Sequence, residues 1–126
     1  MKKVLIVVAD YYEDISSSLL ISAKKNLNSF SLKTIKVPGV FEIPVTISKN
    51  IKKYDGFIAL GCVIKGKTPH FDFISSASTQ AIMSLSINNK KPVGNGIITC
   101  LNMKQAKARS NKGKEAAQAV ISVLGQ

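Results

Sequence analysis

The chain has 126 residues, of which 45% are hydrophobic and 20% charged, and its formal net charge is +11. This apolar content supports a buried core at this length, which excludes intrinsic disorder, and we expect a single domain over residues 1–126. The longest apolar run, Val4–Ala9, is far shorter than the ~20 residues that span a bilayer. Lys2 and Lys3 are not followed by a signal-length apolar stretch. We therefore predict a soluble, cytoplasmic protein that does not bind membranes.

The positive charge comes from 17 lysines and one arginine, Arg109. Nucleic-acid-binding domains usually gather Lys and Arg into a stripe and use arginine for bidentate contacts. Here the lysines form scattered pairs, so the composition favours a solvated surface; a lysine-rich nucleic-acid-binding module remains an alternative. Cys62 and Cys100 are 38 positions apart and lack zinc-ligand spacing, which predicts two reduced thiols and no metal site.

Strand and helix patterns alternate from the start of the chain. Val4–Val8 is an unbroken run of branched aliphatic residues, which is typical of a parallel strand buried on both faces. Helical spacing of apolar residues then predicts a helix over 15–28, with Asp14 as its N-cap. Ser31–Val37 is more polar and predicts a second strand at the sheet edge, ended by Pro38 and Gly39.

The second half of the chain continues this alternation. Glu42 and Pro44 fit the first turn of a second helix, where proline's missing N–H costs nothing. The remaining predicted elements are a central strand over 56–64, a helix from about Phe71, a strand over Pro92–Thr99, and helices over 105–109 and 114–124.

This order of elements predicts an α/β protein: a three-layer αβα sandwich with a four-stranded parallel sheet, flavodoxin-like. In open parallel sheets, ligands bind beyond the carboxyl ends of the strands. The segments that follow the predicted strands contain the only histidine, His70, and four of the seven acidic residues, Asp10, Glu13, Asp14 and Glu42. We therefore expect the functional site at this end of the sheet.

Residues 61–68 match the phosphate-binding loop pattern of nucleotide hydrolases. That loop wraps its inter-glycine N–H groups around phosphates, and a helix begins at its lysine. Here the residues after Gly61 look like a continuing strand, and Pro69-His70 is typical of a turn. A P-loop nucleotide-binding protein is therefore a disfavoured alternative.

Three separated segments together resemble the lumazine synthase family: PGVFEIP at 38–44, GCVIKGKTPHFDF at 61–73, and PVGNGIITCLNMKQAKAR at 92–109 followed by NKGKEAA at 111–117. The resemblance runs in order over nearly the whole chain. It implies condensation of 5-amino-6-(D-ribitylamino)uracil with 3,4-dihydroxy-2-butanone 4-phosphate to 6,7-dimethyl-8-ribityllumazine in riboflavin biosynthesis, with release of phosphate and water. It also implies that no cofactor and no metal are needed.

The resemblance also implies roles for particular residues. His70 would be the catalytic proton shuttle, since an imidazole gives and takes protons near neutrality; from spacing alone, a structural histidine is the favoured interpretation. The phosphate would be bound by Lys67, Thr68, Arg109 and Lys112, where an arginine can act as a bidentate clamp. A surface position for Arg109 and a solvated one for Lys112 remain open.

The same resemblance places the pyrimidine on Tyr11 and the ribityl chain near Glu42. The implied binding residues are Tyr11 and the backbone of Cys62, Val63 and Ile64 for the ring, and Val40, Phe41 and Glu42 for the ribityl chain. Core packing is the alternative for Phe41. For Glu42 the alternative is a favourable interaction with a helix N-terminus, worth ~0.5 kcal/mol.

Several positions depart from the family pattern. Asn95, also expected at the substrate, stands where many members have a second aromatic ring that stacks on it. Lys65 replaces a common arginine, Tyr12 replaces a common asparagine, and the segment between Arg109 and Lys112 is short. The resemblance implies a homopentamer with active sites between subunits, and in some members a 60-subunit capsid. The chain begins directly at the first strand, which leaves pentamer or capsid open.

Overall fold

The computed structural model describes residues 1–66 and 69–126. Strands and helices alternate along the chain, and a 3₁₀ turn over Val40–Glu42 precedes the second helix. In chain order the elements are β1 (Lys3–Ala9), α1 (Glu13–Lys24), β2 (Ser31–Val37), α2 (Ile43–Lys49), β3 (Gly56–Ile64), α3 (His70–Asn89), β4 (Val93–Cys100), α4 (Met103–Lys107) and α5 (Lys112–Leu124).

The four strands form one parallel sheet in the order β2-β1-β3-β4. The apolar strands β1 and β3 are central, and Val4–Ala9 of β1 is at most 2% exposed because helices cover both faces. The more polar β2 lies at an edge, where alternate side chains reach solvent. The predicted parallel sheet and the edge position of β2 are both confirmed.

Two hydrophobic cores lie on opposite faces of the sheet. Val4, Ile6 and Val8 of β1 pack in the core that α1 and α5 cover. The alternate residues Leu5 and Val7 pack in the core that α2 and α3 cover. This alternation follows from the period-two geometry of a strand, and it gives the predicted αβα sandwich.

Some predicted helix boundaries are wrong. Tyr12, not Asp14, is the N-cap of α1, and Asp14 lies in the first turn, where its carboxylate complements the helix dipole. The helix ends at Lys24, although Leu27 remains fully buried in the turn that follows. Helix α4 starts two residues before its predicted start because Asn102 caps it, with Oδ1 accepting a 2.9 Å hydrogen bond from the Gln105 N–H.

Two further features bear on the class of protein. None of the helices over the described ranges has the length and apolar character that crossing a membrane requires. Within residues 1–66 and 69–126, no three histidine, cysteine, aspartate or glutamate side chains converge in a group that could hold a metal ion.

Candidate active site

A cleft opens at the carboxyl ends of β1, β2 and β3. Helix α1 follows β1 onto one face of the sheet, whereas α3 follows β3 onto the other face. Adjacent strands whose connections leave toward opposite faces create a crevice between their ends, which is where ligands bind in open α/β sheets. The cleft has a volume of about 540 Å³ and is lined by Tyr11, Tyr12, Gly39, Val40, Phe41, Glu42, Cys62, Val63, Ile64, His70 and Ile74.

Most of the site residues expected from the sequence meet in this cleft. They come from four separate segments: Tyr11 after β1, the residues of the 3₁₀ turn, the last three residues of β3, and His70 at the start of α3. Lys67 and Thr68 lie outside the described residues. Sequence reasoning missed Tyr12, Gly39 and Ile74 as lining residues, although Ile74 follows His70 by one helical turn and Tyr12 adjoins Tyr11.

Two aromatic side chains stand exposed at the cleft. Tyr11 is 75% exposed, and its ring meets that of Tyr12 edge-on with centroids 4.9 Å apart. Phe41 is 67% exposed, so the alternative that it packs in the core is wrong. Burying an exposed aromatic ring is favourable, and flat rings stack well on such surfaces. The cleft therefore offers two apolar surfaces to a planar ligand.

The turn before α2 places a carboxylate at the cleft. The Glu42 N–H donates to the Gly39 carbonyl oxygen over 3.2 Å, and Thr46 Oγ1 donates to the Glu42 carbonyl oxygen over 2.8 Å. A Cβ at position 39 would lie 3.2 Å from Glu42 Oε1, so glycine leaves room for the carboxylate there. Glu42 is half-buried at the cleft and can accept hydrogen bonds from ligand hydroxyl groups.

Three of the inter-glycine residues that matched a phosphate-binding loop lie in a strand. Cys62, Val63 and Ile64 continue β3 and pair in parallel register with Ile98–Cys100 of β4. Their backbone is therefore extended and committed to the sheet, rather than wrapped around a phosphate. The described part of this segment therefore gives no support to the nucleotide-hydrolase alternative.

The two cysteines lie side by side across β3 and β4. Burial first, and then the neighbouring Cys100 thiol, raises the pKa of Cys62 from 9.0 to about 12. Cys62 is 7% exposed and Cys100 is 1% exposed. With its pKa raised to about 12, the Cys62 thiol stays protonated at neutral pH and lines the cleft as a neutral, weakly polar group. It is therefore unreactive, because the thiolate is the reactive form of cysteine.

We expect Cys62 and Cys100 to resist alkylation in the native protein. With the pKa of Cys62 raised to about 12, its thiol stays protonated at neutral pH, and reaction with iodoacetamide requires unfolding. Intact mass should show no added group after incubation at pH 7.5, and two added groups in guanidinium chloride. Rapid labelling of either cysteine in the native protein would show that the thiol is accessible and reactive, which would contradict this expectation.

A second cavity lies along the free edge of β4. It has a volume of about 470 Å³, and its lining includes three residues expected at the substrate: Asn95, Arg109 and Lys112. The other lining residues are Ile97, Ile98, Thr99, Ala108, Asn111 and Glu115. Arg109 and Lys112 supply positive charge there, and Glu115 supplies one carboxylate.

Two of these side chains also cap backbone groups of the edge strand. Asn95 Oδ1 accepts from the Ile97 N–H over 3.0 Å, and Arg109 Nη1 donates to the Thr99 carbonyl oxygen over 3.2 Å. Arg109 Nη1 also lies 3.8 Å from Cys100 Sγ. The contacts fix where the guanidinium and the amide sit, and they satisfy groups that another strand could otherwise pair with.

Within one chain, the expected substrate contacts therefore separate into two places. The cleft contains His70, Glu42 and the exposed aromatics, but none of the described residues that line it is lysine or arginine. The edge cavity contains Arg109 and Lys112. The cleft suits a flat, hydroxyl-bearing ligand, and the edge cavity suits an anion.

Comparison with known proteins gives one consistent family. A model of the 6,7-dimethyl-8-ribityllumazine synthase family matches residues 1–126. The chain is 44% identical to the 6,7-dimethyl-8-ribityllumazine synthase of Bartonella henselae over 96% of its own length and 85% of that protein. It is 43% identical to that of Bartonella tribocorum (96% and 87% covered) and 40% identical to that of Afipia carboxidovorans (97% and 83% covered).

Proposed function

The chain belongs to the 6,7-dimethyl-8-ribityllumazine synthase family, and we propose that it catalyses that reaction with the cleft and edge cavity described above. The substrates are 5-amino-6-(D-ribitylamino)uracil and 3,4-dihydroxy-2-butanone 4-phosphate, and phosphate and water are released. It is a transferase of riboflavin biosynthesis. The observation that carries the residue assignment is the convergence of four distant segments on one cleft.

The proposed roles follow from the chemistry of each group. The pyrimidine stacks on Tyr11, and the extended backbone of Cys62–Ile64 offers N–H and C=O groups to its amide edges. Phe41 and Val40 flank the ribityl chain, and the Glu42 carboxylate accepts its hydroxyl hydrogen bonds. This arrangement fixes the amine of the uracil for attack on the ketone.

His70 is proposed as the group that moves protons. The amine attacks the ketone carbonyl to give an imine with loss of water, and phosphate is then eliminated, which leaves a second carbonyl group. The ribityl-bearing nitrogen attacks that carbonyl carbon, and the ring closes with loss of a second water. Each step transfers a proton, and an imidazole does so efficiently in both directions near neutral pH. His70 lies at the first residue of α3 and faces the same cleft as Tyr11 and Glu42.

Binding of the phosphate requires cationic side chains. None of the described residues that line the cleft of one chain is a lysine or an arginine. We propose that Arg109 and Lys112 of a neighbouring copy complete the site, as in a homopentamer. An exposed apolar surface supports assembly: on α3, Phe73, Met83 and Ile87 are 66%, 58% and 65% exposed. Apolar surface of this kind commonly marks an interface between proteins.

The catalytic unit in this proposal is the domain formed by residues 1–126, and it works in the cytoplasm. Two neighbouring thiols support that compartment, because Cys62 and Cys100 are free rather than joined in a disulfide.

An assay with both substrates tests the function directly. Purified protein, mixed with the uracil and the butanone phosphate, should produce the absorbance of the lumazine and release inorganic phosphate in equal amounts. The uncatalysed condensation in buffer is the blank. Folded protein that gives no rate above this blank would remove the proposal.

Replacing Arg109 with alanine should raise the KM for the butanone phosphate about 30-fold. Losing a charge-assisted phosphate contact costs about 2 kcal/mol, which corresponds to that factor. The KM for the uracil should change less than threefold, and Arg109→Lys should recover part of the loss because it keeps the charge. Lys107→Ala, which removes an exposed lysine of neighbouring α4, is the matched control. Equal KM values for Arg109→Ala and wild type would refute the phosphate role.

A further inference from the structure

The side-chain amide of Asn95 has a fixed orientation. One terminal atom of the amide lies 3.0 Å from the Ile97 backbone nitrogen, whose N–H donates to it. Of the two terminal atoms, only the oxygen can accept a hydrogen bond, so this atom is Oδ1. Oδ1 is therefore turned toward the strand, and Nδ2, with its two N–H donors, is turned away from it. In the sheet formed by residues 1–66 and 69–126, β4 is an edge strand, and no strand of that sheet pairs on this side of Ile97. Asn95 is exposed and lines the edge cavity.

The distance along β4 separates this amide from the anion-binding groups. The Arg109 guanidinium is held at the Thr99 carbonyl oxygen. Asn95 lies four residues earlier in the same strand, which is about 13 Å at the rise of a parallel strand. A four-carbon phosphate ester bound at Arg109 does not span this distance, so a substrate atom that contacts Asn95 belongs to the other molecule in the same site.

We propose that Asn95 is a specificity-determining residue that donates a hydrogen bond through Nδ2 to an uncharged oxygen of the ribityl-bearing pyrimidine substrate. The inference rests on the proposed function and on the sharing of the site between copies. The substrate's ring carbonyls and ribityl hydroxyls are acceptors, which suits a group that presents only donors. An aromatic side chain at this position would bind the substrate by stacking, so the asparagine changes the mode of recognition from stacking to hydrogen bonding.

The test compares Asn95→Asp and Asn95→Leu with wild type in the two-substrate assay. Aspartate keeps an oxygen for the Ile97 N–H but has no donor at neutral pH, and leucine removes the amide without adding charge. In both variants we expect the KM for the uracil to rise three- to tenfold, as for loss of one uncharged hydrogen bond. The KM for the butanone phosphate and the affinity for inorganic phosphate, measured by calorimetry, should stay within twofold.

Asn26→Asp is the matched control, because it makes the same chemical change at an exposed position between α1 and β2. It should leave both KM values unchanged. An unchanged KM for the uracil in both Asn95 variants, or equal weakening of both substrates, would overturn the role of Asn95 while the enzyme itself remains active. A wild-type protein without synthase activity would overturn the proposed function, and this inference with it.

Discussion

Replacing Gly113 with alanine is expected to lower the free energy of unfolding by about 3 kcal/mol, although alanine favours a helix. Gly113 is buried in the first turn of α5, where α5 packs on α1. A Cβ there would lie 2.2 Å from the Leu19 carbonyl oxygen and 2.8 Å from Ser22 Oγ. Backbone cannot yield as a flexible side chain can, so the two helices must move apart.

The separation would also break a hydrogen bond between these helices. Ser22 Oγ accepts from the Lys114 N–H over 2.7 Å, directly beside the glycine. Urea unfolding measures the change in free energy. Gly125→Ala, at the C-terminal end of the same helix, is the control: its Cβ would lie 3.3 Å from the nearest atom and should change stability by less than ~0.5 kcal/mol. Equal stability of the two variants would show that α1 and α5 can separate without cost.

The fold could be predicted because its signals are local and repeated. The apolar run of β1 and the polar alternation of β2 differ for a physical reason, since the first is covered on both faces and the second lies at an edge. Helix ends were less predictable. Asp14 has the chemistry of an N-cap, but the chain turns into α1 two residues earlier, and the tight 3₁₀ turn at Val40–Glu42 has no strong sequence signal.

Only part of the candidate site could be predicted from the sequence. The polar residues after each strand predicted where a site lies, because the carboxyl ends of parallel strands share one edge. The residue type alone could not predict the exposure of Phe41, since a phenylalanine is more often buried; only the family resemblance implied a place for it at the ligand. The sequence also did not predict that, within one chain, His70 lies in the cleft and Arg109 in the edge cavity. This separation depends on the position of β4 at the edge of the sheet.

Mixing two impaired variants should restore activity. His70→Ala removes the proton shuttle, a loss of about 10²-fold in rate, and Arg109→Ala removes the phosphate contact. If each site joins the cleft of one copy to the edge cavity of the next, some sites in a mixed oligomer contain neither change. With random one-to-one mixing, half of the clefts and half of the adjoining cavities are intact, so about a quarter of the sites recover.

Co-expression with two different affinity tags, followed by sequential purification, isolates the mixed oligomers for the lumazine assay. At a butanone phosphate concentration below the KM of Arg109→Ala, either variant alone gives only a few per cent of the wild-type rate. Lys107→Ala mixed with His70→Ala is the control and should reach about half of it, because every cavity and half of the clefts are intact. A site contained within one chain predicts instead that the His70→Ala and Arg109→Ala mixture shows only the average of its two parents. That outcome would show that the cations of the edge cavity reach the cleft of their own chain.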